Sequence, residues 1–587
     1  MDFAQKLQDI LSHKHVGKGQ NVLSMNELVS WNEEVEALLF ASPQEQRQML
    51  DEKKEEYIEP LTKAELDAIA RALKESLVLS LSNALGMSST TEEIEIQERM
   101  KYCMDKIQDC NTTDKIIIQD RINNAHWNQL EHLCRTSSNF FRWYLQVYLQ
   151  EQSLVYPMCS SPFQASTILS ILVFLIEYNA KQSGTTESQV DLSPSQRLAR
   201  YASLLLFYTT FSPRSPNDEA MQRTHERLVS DIQIIPRIFK ILTYESSTSA
   251  ALALSLIRNV HNLLANYAGA VEALKQTGVP YNNASDQPAR APWNPQVDDN
   301  TDGLITYPSI FRDILIWSLN GPGLPPFPGP KEDKRSELVV EILGILFAMG
   351  GTEISRALRY PCPNPALSQL VVTVLKDMDS KKDARIAQVQ LSTVTILTDA
   401  SPSFGTYLVE QQALQSLLEI AENQIDSVLE QTQVDDIAVS ALVPSLGTLY
   451  KLSAGNPTFR EAAKAKIFPK INEDRFWTLA QEQLDNSAGA TTAAAQQTRS
   501  NGNDAVLNRV PPAKNMHPLD APQGTLRYKL IRLMTWTEGH IKRYASELLY
   551  ALCDEDPKEF VLRTGLGNAI AFLGAKGMVQ LPAHALK

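Results

Sequence analysis

The feature that most constrains this chain is a unit of helices that recurs along it. The unit consists of an apolar helix, a short polar turn, a second short helix, a break of small residues and a further apolar segment. Four copies span Leu252–Pro280, Val389–Ile420, Ala438–Ile471 and Tyr544–Gly577. Each helix pair has apolar surface that it cannot bury alone, so neighbouring copies must stack. The pattern therefore predicts an all-α fold, an armadillo/HEAT-like right-handed α-solenoid whose inner helices line a concave groove.

The turn has the same chemistry in the last three copies, where a proline is followed two or three residues later by a phenylalanine. Proline suits the first turn of a helix because no N–H is needed there, and we expect the aromatic ring to pack into the stack. The first two prolines lie 55 residues apart, which exceeds the ~40–47 residues of HEAT or armadillo units and indicates insertions. The three pairs are Pro402 with Phe404, Pro457 with Phe459, and Pro557 with Phe560.

Composition divides the chain into segments. Proline-rich and Asn/Asp-rich stretches read as loop excursions from the repeats, and a stretch rich in Ala, Thr, Asn, Gln and Gly predicts a flexible insertion. The predicted segments are an N-terminal helical region with atypical repeats (1–160), armadillo/HEAT-like repeats (161–484) with excursions near 276–302 and 321–331, the flexible insertion (485–524), C-terminal armadillo-like repeats (525–580) and a tail (581–587).

Charge and composition exclude several classes of protein. Hydrophobic residues make up 43% of the chain, enough for a large core. The net charge of −13 has the wrong sign for coating phosphate backbones. Six cysteines without a C-x-x-C pair, and an N-terminus without a signal-peptide core, predict a cytoplasmic protein. The most apolar run, Ile168–Ile176, is far shorter than the ~20 residues that cross a bilayer.

Motifs of bond chemistry are missing from the sequence. It contains no G-x-x-x-x-G-K-[ST] phosphate loop, no H-E-x-x-H zinc motif and no G-x-S-x-G nucleophile elbow. We therefore predict no catalytic residue, no metal and no cofactor, and we do not expect an enzyme that makes or breaks bonds. An enzyme with an unrecognised site stays open as a third alternative.

Two sets of polar residues are candidates for partner binding. Asn262 lies inside an apolar helix, where its amide has both a donor and an acceptor for a peptide backbone; the alternative is a bond within its own repeat. A basic stretch near the C-terminus suits an acidic or carboxylate-terminated partner; the alternative is a solvated helix face. Its members are Arg527, Lys529, Arg532, Lys542 and Arg543.

Residues Leu526–Met578 resemble the last armadillo-like repeats of the synembryn family, the chaperones and nucleotide-exchange factors of heterotrimeric G-protein α subunits. The resemblance covers the patterns L-R-x-K-L-x-R-L-M, K-R-x-A-x-E-x-L-x-x-L-C and F-x-x-x-T-G-x-G-N-A. Ala441–Pro469 is similar to the family's preceding repeat, and Val340–Gly350 to an earlier one.

The resemblance implies a monomer that grips the C-terminal helix of a G-protein α subunit (Gα) in its groove. It implies a folding chaperone or an exchange factor that stabilises the nucleotide-free state, recruited to the membrane periphery through Gα. Asn262 and Phe347 would line the groove. The basic face near the end of the solenoid would consist of Lys529, Arg532, Lys542 and Arg543.

The sequence departs from the family pattern in three places. Ala348 stands where the family usually has Asn, the 485–524 insertion is unusual, and the chain stops ten residues after Gly577, before the family's acidic segment and distal helix. These departures bear on exchange activity more than on Gα binding. An armadillo-repeat scaffold or adaptor without exchange activity is therefore kept as the alternative function.

Overall fold

The computed structural model describes about three fifths of the chain. The described residues are 77–85, 87, 95, 96, 98–102, 124–148, 166–182, 193–211, 219–245, 248–280, 291–295, 303–349, 351–362, 365–430, 436–468 and 524–578. Two predicted segments lie outside them: the insertion at 485–524, except Gly524, and most of the region 1–160.

The chain divides into two compact units, unit 1 (Met1–Met349) and unit 2 (Gly350–Lys587). In unit 1, two three-residue strands, β1 (Gly278–Pro280) and β2 (Leu304–Thr306), pair antiparallel. From Asn124 on, the helices of unit 1 that the structure describes are α1 (Asn124–Tyr148), α2 (Ser166–Gln182), α3 (Pro194–Thr210), α4 (Glu219–Glu226) with a π-helical turn (Arg227–Asp231), α5 (Ile234–Tyr244), α6 (Ala250–Asn266), α7 (Ala268–Gln276), α8 (Tyr307–Asn320), and α9 (Arg335–Ala348), which follows a 3₁₀ turn (Lys331–Asp333).

The long helices of unit 1 form two rows. Row A contains α1, α3, α6 and α9, each packed against the next, and row B contains α2, α5 and α8 behind it. The core lies between the rows: Phe239 of α5 and Phe311 of α8 are fully buried, with ring centroids 5.5 Å apart. Local sequence explains the starts of the helices, since Ser193 and Ser249 accept hydrogen bonds from the first turns of α3 and α6.

The helices of unit 2 follow the same plan. They are α10 (Gly351–Ala357), α11 (Pro365–Lys376), α12 (Ala384–Leu397), α13 (Phe404–Glu410), α14 (Leu414–Leu429), α15 (Asp436–Gly455), α16 (Pro457–Ile467), α17 (Leu526–Leu533), α18 (Gly539–Leu552), α19 (Pro557–Thr564) and α20 (Leu566–Ala575). Row A contains α12, α15 and α18, and row B contains α11, α14 and α17.

The repeat of unit 2 contains three helices rather than the pair read from the sequence. A short helix at the Pro–Phe turn, such as α13 or α16, precedes one helix of row B and one of row A. The phenylalanines predicted to enter the stack, Phe404, Phe459 and Phe560, are all fully buried. The predicted all-α class with armadillo/HEAT-like repeats is therefore confirmed.

The predicted excursion at 321–331 is a connection without regular helix between α8 and the 3₁₀ turn before α9. Arg335, fully buried at the start of α9, holds it in place. Its guanidinium donates to Ser318 O (3.0 Å) and Pro325 O (2.7 Å), and pairs with Asp333 (2.6 Å). The buried guanidinium thus satisfies one backbone carbonyl of this proline-rich connection.

Candidate partner-binding surfaces

Row A of unit 1 carries a charge cluster on its partly exposed side. Arg258 of α6 pairs with Glu337 (3.1 Å) and Glu341 (3.5 Å) of α9. His261, one turn along α6, contacts Glu341 through Nδ1 at 2.5 Å. We call these four residues and Phe347 the unit 1 surface.

Hydrogen bonds and charge hold both glutamates of this surface ionised. Burial by itself raises the pKa of Glu341, but the hydrogen bond from His261 and the nearby Arg258 outweigh it and bring the pKa below its ordinary value. Burial likewise raises the pKa of Glu337, and Lys334 with Arg258 lowers it overall. Sequence reasoning missed this cluster, although its helical spacing in apolar helices was a usable signal.

Asn262 is buried, with 4% of its surface exposed. Its Nδ2 donates to Thr210 O and Oγ1 of α3, both at 3.1 Å, and its Oδ1 accepts from Asn266 (3.0 Å). The structure thus matches the second alternative for this residue, an asparagine bonded within the repeats. Its place on a partner-binding surface stays a prediction that would require these bonds to be exchanged.

Phe347 lies near the end of α9 and is 43% exposed, although it is a large apolar side chain. The partly exposed residues of α9 follow one stripe through Glu337, Glu341 and Gly344 to Phe347. Gly344 leaves room for the neighbouring ring, because a Cβ there would lie 3.2 Å from Cε1 of His261. An apolar ring therefore continues the charged part of the unit 1 surface.

Lys529 of α17 is used inside unit 2. Its Nζ bonds Glu422 and Asp426 of α14 at 2.7 Å each, and its side chain is 12% exposed. Burial lowers the pKa of Lys529, but the two carboxylates outweigh this and raise it. As it stands, this ammonium ties two helices of row B together.

Three of the predicted basic residues are exposed in unit 2. Arg532 lies in the last turn of α17, and Lys542 and Arg543 lie near the start of α18. None of the three forms an ion pair within the described part of the chain. We call them the unit 2 surface. Arg527, by contrast, is buried and donates Nη2 to Arg563 O at the end of α19 (3.2 Å).

Two further findings concern the described residues only. No group of three or more His, Cys, Asp or Glu side chains there is arranged to hold a metal ion. None of the helices there is both long enough and apolar enough to cross a membrane.

A comparison with protein families matches the C-terminal part of the chain. Residues 503–585 match the family described as guanine nucleotide exchange factor synembryn. Chaperone Ric-8A of Xenopus laevis is 40% identical over 70 residues, and that of Mus musculus 39%. Each match covers 12% of this chain and 13% of the relative's length. The resemblance to the synembryn family is thereby confirmed for this part of the chain.

Solved structures align over nearly the whole chain at low similarity. An engineered protein aligns with 98% of this chain and 95% of its own, at 13% identity and a TM-score of 0.37. A structure from work on the cadherin–β-catenin interaction covers 99% and 96%, at 11% identity and a TM-score of 0.34. The fold assignment rests instead on the helix packing described above.

Proposed function

From the synembryn similarity of residues 503–585 we propose that this chain binds heterotrimeric Gα and acts as its folding chaperone, its guanine nucleotide exchange factor, or both. The observation that carries the proposal is the 39–40% identity with chaperone Ric-8A over 70 residues. The match covers only 13% of the length of these relatives. Both the partner and the activity of this chain are therefore part of the proposal.

The C-terminal helix of Gα is the proposed ligand of the unit 1 surface. An amphipathic helix needs an apolar contact and a charged border. Phe347 supplies an exposed ring, and the cluster of Arg258, His261, Glu337 and Glu341 supplies both signs of charge beside it. The unit 2 surface offers separate contacts for acidic groups of Gα.

The proposed mechanism is differential binding. If the chain binds nucleotide-free Gα more tightly than Gα·GDP, it shifts the equilibrium towards GDP release by no more than the ratio of the two affinities. No side chain of this chain need make or break a bond. Preferential binding of nucleotide-free Gα would also protect a folding intermediate of Gα.

The test is a pull-down of purified Gα with the full chain, once with GDP and once after the nucleotide has been stripped, together with a GDP-release assay. We expect stronger retention of nucleotide-free Gα and faster GDP release. Equal failure to retain either form contradicts the proposal. Sedimentation of the free chain and of the complex tests the predicted monomer.

The second candidate is an armadillo-repeat scaffold or adaptor without exchange activity. The small share of the relatives' length that is matched favours keeping it. It predicts an unchanged rate of GDP release while a peptide from another protein occupies the unit 1 surface.

A further inference from the structure

The outer face of α20, the last helix that the structure describes, is apolar and exposed. Leu566 at its start is 58% exposed, and Met578, just beyond its end, is 50% exposed. The helix contains no charged residue. Its small exposed residues are Gly567, Ala571 and Ala575. The end of a repeat stack normally presents a polar face to water, so this face indicates a surface that another segment covers.

The inner face of α20 is fully used by unit 2. Ala569 and Leu573 are buried. The ring of Phe572 contacts those of Tyr550 and Phe560, with centroids 5.4 Å and 5.5 Å apart. This packing fixes the orientation of α20 and leaves its outer face towards solvent.

A buried arginine lies beside the start of α20. Arg527 of α17 is 6% exposed, and its Nη2 donates to Arg563 O, three residues before Leu566 (3.2 Å). Its Nε is buried, and none of the described residues bonds it. Burial, and then the charge of Arg563, lower the pKa of Arg527. Because a buried cation is costly without a counter-charge, this guanidinium indicates a carboxylate partner.

The two nearby carboxylates that the structure describes have other partners. Asp554 pairs with Arg460 (2.9 Å) and Lys464 (2.7 Å). Glu559 pairs with Lys464 (3.1 Å) and Arg563 (3.3 Å). Two carboxylates thus serve three cations at this corner, and the buried arginine is a fourth. Its counter-charge is therefore to be sought outside the described residues.

The chain segment 469–523 leaves and returns at this corner. Phe468, the last described residue before it, lies under the guanidinium of Arg563, whose Cζ is 5.2 Å from the ring centroid. After the segment, Thr525 caps α17, and Arg527 bonds the backbone of Arg563. Both ends of the segment therefore lie at the turn from which α20 starts.

The first part of this segment has the sequence that the corner calls for. Glu473 and Asp474 precede apolar residues at helical spacing. Glu473 follows Phe468 by five residues, which extend to about 17 Å, so its carboxylate can reach Arg527. As a helix, 476–484 would be about 13 Å long, and the ten residues of α20 rise about 15 Å. The apolar residues are Phe476, Leu479, Ala480 and Leu484.

We propose that residues 473–484 of this chain pack on the outer face of α20, with Glu473 or Asp474 paired with Arg527. The small residues of that face allow another helix to approach closely. One interaction then covers the apolar end of the repeats and neutralises a buried cation. The proposal does not depend on the Gα function.

The direct test is photo-crosslinking in the full chain. Leu566 is replaced by p-benzoylphenylalanine, and the products are separated by size and mapped by mass spectrometry. We expect crosslinks within one chain, concentrated in residues 473–484. The same replacement at Leu304, an exposed apolar residue of β2, is the control and should give no crosslink to 473–484.

The other outcomes of this experiment reject the proposal. Crosslinks between two chains would assign the face to a second copy. Crosslinks confined to 579–587 would assign it to the C-terminal tail. Absence of any crosslink from position 566 would show that nothing in the free chain covers the face.

Hydrogen exchange tests the apolar contact. Phe476→Ser with Leu479→Ser should speed exchange of the α20 amides about tenfold, because it uncovers the helix. The control Val506→Ser with Leu507→Ser removes two apolar side chains elsewhere in the same segment and should change nothing. Equal exchange of α20 in the two double variants would contradict the packing.

A double-mutant cycle tests the charge pair. Glu473→Gln with Asp474→Asn should speed exchange of α20 about threefold, and should have no further effect when Arg527→Gln is present. Additive effects would reject the pairing. Circular dichroism checks that each variant keeps its helices. If Arg527→Gln does not fold, the crosslinking yield from position 566 decides instead, since an unchanged yield after the carboxylate substitutions rejects the pairing.

Discussion

Side chains on the helices of row A bond backbone carbonyls of the neighbouring helix in the row. In unit 1, Asn259 donates to Ser203 O (2.9 Å) and Asn262 to Thr210 O (3.1 Å). In unit 2, Lys451 donates to Thr398 O (2.6 Å). The last carbonyls of a helix have no partner within it, and Thr210 O and Thr398 O, at the ends of α3 and α12, are carbonyls of this kind.

His225 is a buried side chain that contacts the same carbonyl as Asn262, Thr210 O. It leads to a prediction about how the stability of the chain depends on pH. Its Nε2 contacts Thr210 O at 2.9 Å; a carbonyl only accepts, so Nε2 carries the proton. Nδ1 is buried, and none of the residues that the structure describes bonds it. Burial lowers the pKa of His225, and the hydrogen bond to Thr210 offsets this only in part.

Acid should therefore destabilise unit 1. Above about pH 6.5 His225 is neutral in both states, and below it the unfolded chain binds a proton that the folded site resists. The free energy of unfolding should fall by up to about 1.4 kcal/mol per pH unit from this group. Urea unfolding at pH 7.5 and 5.5 should show a smaller loss for His225→Gln than for the unsubstituted chain; equal losses would contradict the prediction. His132, whose pKa burial also lowers, contributes to both proteins.

Phe347 gives a prediction for the unit 1 surface. Because its ring is 43% exposed, Phe347→Ala should leave the thermal midpoint nearly unchanged while weakening Gα binding about tenfold, as expected for an aromatic anchor. Calorimetric titration with nucleotide-free Gα measures the effect. Leu304→Ala, an exposed apolar residue of β2, is the matched control and should bind normally. Equal affinities of the two variants would remove Phe347 from the interface.

At the scale of the helices, the Pro–Phe turn joins successive repeats. Asn456 caps α16 by accepting from Phe459 N (2.9 Å), and its Nδ2 donates to Pro402 O and Thr406 Oγ1 of the preceding turn, both at 3.0 Å. One side chain thus starts a helix and bonds the equivalent turn of the repeat before it. Gly405 allows the close approach, since a Cβ there would lie 2.9 Å from Cβ of Phe459.

Asn456→Ala should cost about 2 kcal/mol, because it removes a helix cap and the hydrogen bonds from Nδ2 to the preceding turn. The control is Asp556→Ala at the corresponding cap of α19. Asp556 is exposed, and within the described residues its side chain accepts only from Lys558 N (2.9 Å). That change should cost about 1 kcal/mol. Native-state hydrogen exchange of amides in α13 and α16 measures the difference. Protection lost equally in both variants would show that the bonds between repeats contribute nothing.

At the scale of the whole molecule, the distribution of charge matters more than the net charge for the kind of partner that the chain binds. The chain has a net charge of −13, and many described basic residues of unit 2, such as Lys464 and Lys529, are engaged in ion pairs. Arg532, Lys542 and Arg543 form none there. A basic surface on an acidic protein favours a defined acidic partner over polyanions in general, since the remaining charge repels the latter.

Reversing Lys542 and Arg543 to glutamate should therefore weaken Gα binding. The loss should be larger at about 50 mM salt than at about 300 mM, because screening shortens the reach of exposed charges. Lys558→Glu, an exposed lysine on α19, serves as the control and should change affinity little. A salt-independent loss, or a loss of helicity in circular dichroism, would assign the two residues a structural role.

The features that can be predicted from the sequence are local. Helix periodicity, capping serines and the Pro–Phe turns lie within a few residues of one another, and they suffice to predict an all-α repeat fold with buried Phe404, Phe459 and Phe560. The C-terminal patterns likewise suffice for the synembryn resemblance. The number of helices in each repeat was less evident, because a helix as short as α13 carries little periodicity of its own.

Which polar side chains remain available to a partner depends on the folded structure. In the sequence, Asn262 and Lys529 resemble residues that face a partner. In the structure Asn262 bonds Thr210, and Lys529 bonds Glu422 and Asp426. All three of these partners lie more than fifty positions away along the chain. Whether a polar side chain can bond a partner protein depends on its burial and on the residues that folding brings next to it. Neither property can be read from the spacing of residues along one helix.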